Sequence, residues 1–321
     1  MVIVFFGTPQ FAVPSLEALI ASRHRVALVV TQPDRRRGRG QKVADSPVKA
    51  AARAAGIPVY QPDRLRDPDV EETLRAHAPD LGVVAAYGKL IPADLLRLPR
   101  HGMINVHASL LPRYRGAAPV HRAIINGEAE TGITIMQVVE ALDAGDMLMK
   151  SSRAIGPDDT SDALETALAD DGARLLIEAL DQFEAGAIRA EPQDESSSCY
   201  APRLTKAEGD IDWSLTASQI HNRVRGLYPW PHAYSSVDGG RLIILRTKVI
   251  AGSGGTPGTI VDVNRDAVVV ATGGGRIAIT EIQPEGRRPM PARDFLAGHP
   301  LQPGMRFASA VPAGGAGEHD R

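Results

Sequence analysis

Short apolar runs alternate with amphipathic segments through the first half of the chain. VIVFF (2–6), RVALVV (25–30), IPVY (57–60), DLGVVAA (80–86), GMINVH (102–107) and GITIMQV (132–138) have the length and composition of buried strands. Between them, PSLEALIAS (14–22), SPVKAAARAAG (46–56) and DPDVEETLRAHA (67–78) read as helices. Ser46 suits an N-cap, Pro47 the first helical position and Gly56 the residue just past the end. A short helix, APVHRAIINGE, follows, and a long one runs from about 159 to 186. Strands that alternate with helices predict an α/β fold with a parallel sheet covered on both faces.

The texture changes at about 188. Residues 189–210 are polar and proline-containing, which predicts a linker between a domain over 1–188 and a second over 211–307. The second opens with the helix-like SLTASQIHNRVRG, in which Leu215, Ile220 and Val224 fall near one face. Five β-type runs follow, HAYSSV, RLIILRTKVI, GTIVDV, AVVVAT and RIAITEIQ, separated by turn residues. So many short strands in sequence predict a small closed or nearly closed barrel, which removes exposed edges. Residues 308–321 read as a frayed tail.

Composition narrows the function. With 321 residues, 43% hydrophobic, 23% charged and a net charge of -2, the chain has no global positive field, so any nucleic-acid surface is local. No run approaches the roughly 18 apolar residues of a membrane helix, and the first residues lack the basic region of a signal peptide, so a cytoplasmic protein without a membrane partner is expected. The single cysteine, Cys199, excludes an internal disulfide and a multi-cysteine metal site, and no metal is expected. FFGTPQF lacks the GxGxxG spacing of a dinucleotide site, and no GxxxxGK[ST] or HExxH is present.

Residues two apart on a strand share a face, so Asn105 and His107 project together at the carboxyl end of GMINVH. Ligands of open α/β sheets bind outside that edge. An amide donor beside an imidazole suits a carbonyl that acquires negative charge, although such a pair also serves simply to satisfy loop backbone. Asp143, in EALDAGDMLM, has two readings as well. A carboxylate near His107 would orient the imidazole and assist proton transfer, whereas spacing alone favours a turn residue capping its own backbone. The sharpest nucleic-acid signal is QPDRRRGRGQK, where Arg35, Arg36, Arg37, Arg39 and Lys42 fall within one glycine-rich connection, although a charge run taken by itself more often marks a solvated surface.

Four stretches decide among these readings. FFGTPQFAVPSLEAL, NVHASLLPRYRGAAPVHRAI, ETGITIMQVVEALDAGDML and DIDWSLTASQIHNRVRGLYPWPHAY together resemble the 10-formyltetrahydrofolate-dependent formyltransferases, from Met1 to about Met305, and most closely the branch that formylates methionyl initiator tRNA. Tyr114 stands where the family often carries tryptophan. The resemblance implies a Rossmann-like catalytic domain followed by an OB-like barrel. It implies Asn105, His107 and Asp143 as catalytic residues, 10-formyltetrahydrofolate as formyl donor and methionyl initiator tRNA as acceptor, in a monomer. It places the folate against Tyr87, Leu90, Ile91, Ser109, Leu110, Leu111, Pro112, Val139 and Asp143. Arg113 and Arg115 would meet anionic groups of the folate tail or the tRNA acceptor end, the 35–42 loop would grip the acceptor arm, and the barrel would hold the tRNA through residues such as Lys206, Arg225 and Lys248. Trp230, in GLYPWPHAY, either packs against the barrel or stacks on a base, and packing is the favoured reading.

Overall fold

The computed structural model describes residues 1–34, 36–37, 42–252 and 254–308, with backbone only at 36–37 and 42–43. The chain divides into two compact units. The first comprises Met1–Val120, Glu130–Ala154 and Ala163–Pro202, and the second His121–Ala129, Ile155–Asp162 and the chain from Arg203 onward. The stretch expected as a linker is therefore shared, its residues up to Pro202 lying in the first unit.

The first unit is built on seven strands: β1 (Val2–Gly7), β2 (Arg25–Val30), β3 (Val59–Tyr60), β4 (Leu81–Ala85), β5 (Met103–His107), β6 (Glu130–Gln137) and β7 (Met147–Ala154). Their order across the sheet is β7-β6-β5-β4-β1-β2-β3. From β3 to β5 all neighbours run parallel, as the continuous apolar runs predicted. β6 and β7 depart from that expectation: β6 runs antiparallel to β5, and β7 antiparallel to β6. No crossover helix separates β6 from β7, so they pair as a hairpin, and the 138–146 connection that carries Asp143 joins them.

Side chains of β1 and of the helix Val13–Ala21 fill the core, with Ile3, Phe5, Phe6, Leu16 and Leu19 fully buried. The helix Pro47–Ala54 starts where its sequence predicted, with the Ser46 side chain accepting from Lys49 N and Gly56 at φ +70° beyond its end. One close approach positions the site. A Cβ on Gly172, within the long helix Ser161–Glu184, would lie 2.8 Å from Val106 Cγ1. Glycine there lets the helix press on the Val106 face of β5, which leaves Asn105 and His107 on the other face.

The second unit contains β8 (Ala233–Val237), β9 (Gly240–Ile250), β10 (Ile260–Val263), β11 (Val268–Ala271) and β12 (Arg276–Pro284), in the antiparallel order β8-β9-β12-β11-β10. The stretch 305–308 closes the ring: Thr259, next to β10, bridges Arg306, and Ser236 of β8 bridges Ala308. Both edges are thereby paired. Ala308, expected to begin the frayed tail, exchanges backbone hydrogen bonds with Ser236, while 309–321 lie outside the described residues. Trp213 packs at 5.1 Å from the Phe307 ring and donates from Nε1 to Ser235 Oγ at 3.0 Å. The helix Ala217–Gly226 starts at a capping box of Thr216 and Gln219 and buries Ile220 and Val224. Leu215, expected on the same face, lies before the cap. Trp230, expected to pack, is 49% exposed.

Candidate active site

β5 brings Asn105 and His107 to one face, as the period of a strand requires. Asn105 is half-buried, between Val84 of β4 and Met136 of β6, and its side-chain amide makes no hydrogen bond among the described residues. His107 is 6% exposed. Its Nε2 lies 3.0 Å from the Tyr114 carbonyl oxygen. A carbonyl only accepts, so Nε2 carries a proton and Nδ1 is the nitrogen turned toward Asp143 Oδ2, 3.7 Å away. The SLLP turn that follows β5 is held by short bonds: Ser109 Oγ donates to Arg113 O at 2.6 Å, and Thr134 Oγ1 donates to Ser109 O at 2.7 Å while accepting from Leu111 N at 3.1 Å.

The 138–146 connection leaves β6 where Val138 N bonds Met103 O, at the amino end of β5, yet its Asp143 carboxylate reaches His107 at the other end. Asp143 is left-handed, at φ +49°, a conformation that aspartate tolerates better than most residues. Its Oδ2 accepts from Gly116 N at 2.9 Å. Gln193 Nε2 donates to the carbonyls of Asp143 and Gly145 at 2.8 and 2.7 Å. Gly145 admits no side chain, because a Cβ there would lie 2.0 Å from Gln137 O. Asp143 is thus a turn residue, but its carboxylate accepts from Gly116 rather than from its own turn, and it faces the imidazole.

Gln193 and Gly116 are site residues that sequence reasoning missed. Gln193 sits in the polar stretch read as a linker, and nothing local distinguishes it. The stretch reaches the site because Tyr200–Ala201 pairs in parallel with Arg115–Gly116. Cys199, next to it, is exposed, and its Sγ accepts from Tyr114 N at 3.2 Å. Arg115 donates from Nε to Gln193 Oε1 at 3.0 Å and forks onto Glu195 at 2.9 and 2.7 Å, so its charge already has a carboxylate partner. Arg113 is exposed, with its guanidinium 5.3 Å from the Tyr114 ring centre.

The residues expected around the folate divide by exposure. Leu90 is 72% and Val139 42% exposed. Leu90 and Ile91 border a cavity of about 620 Å³ that Glu140, next to Val139, closes from the other connection. Leu111 is buried with Met136 and Met147, Pro112 is half-buried, Ser109 is fully buried, and Leu110 packs over Gly132 of β6. The Tyr87 ring belongs to the core, edge-on to Phe6 at 5.5 Å. Its hydroxyl has no partner among the described residues, and burial pushes its pKa up to about 12.

Of the residues expected against tRNA, Arg35 and Arg39 and the side chains of Arg36, Arg37 and Lys42 lie outside the described residues. Lys206 and Lys248 are exposed. Arg225 is not: at 7% exposure it donates to Asn222 Oδ1 at 2.8 and 3.0 Å and to the carbonyls of Gly156 and Asp159 at 3.1 Å. Desolvation lowers its pKa from the usual arginine value. Its sequence setting, the last turn of a helix, does not reveal that three acceptors lie around it. Among the described residues no group of three or more His, Cys, Asp or Glu is placed to hold a metal, and no helix is long and apolar enough to cross a membrane.

Comparison with known proteins connects this geometry to a chemistry. The formyl transferase family matches residues 1–180, and the family's C-terminal domain matches 203–300. A methionyl-tRNA formyltransferase of Geobacter metallireducens is 50% identical over 305 residues, covering 95% of this chain and 98% of that protein. One of Heliobacterium modesticaldum is 50% identical over 316 residues, covering 96% and 100%. Among solved structures, the sugar 3N-formyl transferase WlaRD, crystallised with dTDP and 5-N-formyl-THF, superposes with a TM-score of 0.66 at 16% identity, covering 90% of this chain and 99% of that one, a likeness of fold. By sequence over both its domains, the chain belongs to the formyl transferase family.

Proposed function

We infer that this formyl-transferring enzyme moves the formyl group of 10-formyltetrahydrofolate to the α-amine of methionyl initiator tRNA. The observation that carries the reading is identity of about 50% to methionyl-tRNA formyltransferases along nearly the whole of both chains. The site suits the chemistry. The cavity beside Leu90, Ile91 and Glu140 has the size of a small-molecule site with apolar and polar edges, which fits a flat heterocycle and its tail. When bound, the folate supplies an activated formyl group.

The side chains then have distinct roles. The Asn105 amide, without a partner among the described residues, donates to the formyl oxygen as it gains negative charge. His107 is fixed by the Tyr114 carbonyl through Nε2, so Nδ1 is left to exchange a proton on the Asp143 side. The neutral amine forms the new C–N bond and loses a proton to this pair, and the same proton is returned to N10 as the old C–N bond breaks. Asp143 stabilises the imidazolium that forms in between, and Gly116 N and Gln193 hold the carboxylate and its turn. No enzyme nucleophile is needed, because both substrates meet in one cleft.

The test is formyl transfer from 10-formyltetrahydrofolate to methionyl initiator tRNA, run beside methionyl elongator tRNA, free methionine and a small amino sugar. Strong preference for the charged initiator is expected. Transfer to the amino sugar without transfer to the tRNA overturns the acceptor while leaving the family's chemistry in place.

A further inference from the structure

The Asp143 carboxylate sits on an irregular connection, and a side chain 50 residues further along the chain, Gln193, holds its backbone. The segment that carries Gln193 is anchored on both sides of it. Glu191 exchanges two backbone hydrogen bonds of 2.8 Å with Met147 at the start of β7, and Tyr200–Ala201 pairs with Arg115–Gly116. Between these anchors, Asp194 accepts from Ser196 N and from the hydroxyls of Ser196 and Ser197, which shapes the short 3₁₀ turn Glu195–Ser197. Gln193 and Glu195 are thereby both brought to Arg115.

The two ends of a glutamine amide have nearly the same shape and opposite roles, so a neighbour has to choose between them. Arg115 Nε only donates. At 3.0 Å it takes Gln193 Oε1 and turns Nε2 toward the carbonyls of Asp143 and Gly145, at 2.8 and 2.7 Å. With the amide reversed, Oε1 would face two carbonyl oxygens and Nε2 would face a guanidinium.

Arg115 is itself fixed by Glu195, which accepts from Nη1 and Nη2 in the two-pronged geometry of a guanidinium on a carboxylate. The hydrogen bond from Arg115 holds Glu195 below the usual carboxylate range, so the pair stays charged at neutral pH. The Arg115 side chain is 13% exposed and that of Glu195 70%. Water screens such a pair, and it contributes little to stability. Its effect is geometric: it sets the plane of the guanidinium and hence the orientation of Gln193.

We propose that Arg115 is a positioning residue, which orients the Gln193 amide so that Gln193 holds the 143–145 turn and keeps the Asp143 carboxylate facing His107. The proposal rests on the role given to Asp143 in formyl transfer, and it replaces contact with a substrate anion as the task of Arg115.

Two readouts on the full chain test it. Gly116 N donates to Asp143 Oδ2, so hydrogen exchange of that amide reports, without any substrate, where the carboxylate lies. Exchange at Gly116 is expected to be about tenfold or more faster in Gln193→Ala and in Arg115→Met. In single-turnover transfer with both substrates saturating, each variant should lose about tenfold or more in rate, whereas the double variant should fall no more than about threefold below Gln193→Ala, because Arg115 acts through Gln193. Gln193→Glu keeps the size of the side chain and its bond to Arg115 but has no donor for the two carbonyls, and it should match Gln193→Ala in both readouts. Unchanged exchange at Gly116 in both single variants, losses that multiply in the double variant, or wild-type behaviour of Gln193→Glu overturns the proposal. A loss in Arg115→Met confined to the KM of either substrate also overturns it and returns Arg115 to a substrate anion. Faster exchange at Gly116, with transfer by the wild type to a small amine and none to methionyl initiator tRNA, keeps the positioning role and overturns the acceptor reading instead.

Discussion

Asn105 and His107 are adjacent on one strand face, and that much follows from the two-residue period of GMINVH. What the sequence could not reveal is which imidazole nitrogen is occupied. The Tyr114 carbonyl takes Nε2, and it reaches His107 only because the SLLPRYRG turn folds back on β5. Gln193 was illegible for the same reason: its two bonds to the Asp143 turn arise from a strand pairing distant in sequence. A different histidine carries a prediction. His24 is buried in the first unit, and burial, followed by the nearby terminal ammonium, lowers its pKa from 6.5. The unfolded chain therefore binds this proton more readily than the folded one. Its contribution to stability is complete above about pH 6.5 and is lost as the pH falls from there toward the folded value. Denaturant unfolding at pH 7.5 and 5.5 is expected to show a decline that His24→Leu reduces; an identical decline in the variant would assign it to other groups.

Elements were the most legible level, because strands and caps obey local rules. Ser46 and Gly56 bracket their helix as expected, and the β-type runs of the second half all became strands. The antiparallel turn of β6 and β7 was not legible, since a mostly apolar run such as GITIMQV does not state its direction. Charge was misleading where burial decided. Arg225 and Lys248 look equivalent in sequence, yet one is enclosed by carbonyls and the other is exposed. Arg225→Ala leaves those acceptors unpaired and is expected to destabilise the second unit by about 2 kcal/mol or more. Lys248→Ala should leave stability within about 0.5 kcal/mol and weaken tRNA binding, with a shallower salt dependence. Thermal unfolding together with tRNA titration at two salt concentrations separates the two outcomes. Equal stability of both variants would count against a structural role for Arg225.

At the scale of the whole molecule, the number of strands announced a barrel, but not how it closes. Residues 305–308 supply the missing pairing between the edge at Thr259 and β8, and Phe307 packs on Trp213. A chain ending at Ala308 is expected to keep the second unit folded, whereas one ending at Gly304 exposes both edges and loses its cooperative unfolding transition. Retention of that transition in the shorter chain would mean that closure is dispensable. Function was legible at this scale only through resemblance: 43% hydrophobic residues and a net charge of -2 suit many enzymes, whereas motifs in both halves suit one family.

The measurement that reaches the central claim most directly is single-turnover formyl transfer to methionyl initiator tRNA, with both substrates saturating, by the wild type and by Asn105→Ala. An oxyanion donor is worth about 2.7–4 kcal/mol in the transition state, so the variant should transfer roughly a hundredfold to a thousandfold more slowly while unfolding at nearly the same temperature. An unchanged transfer rate, or a loss that follows only from a less stable fold, would contradict the role given to Asn105 and the mechanism built on it.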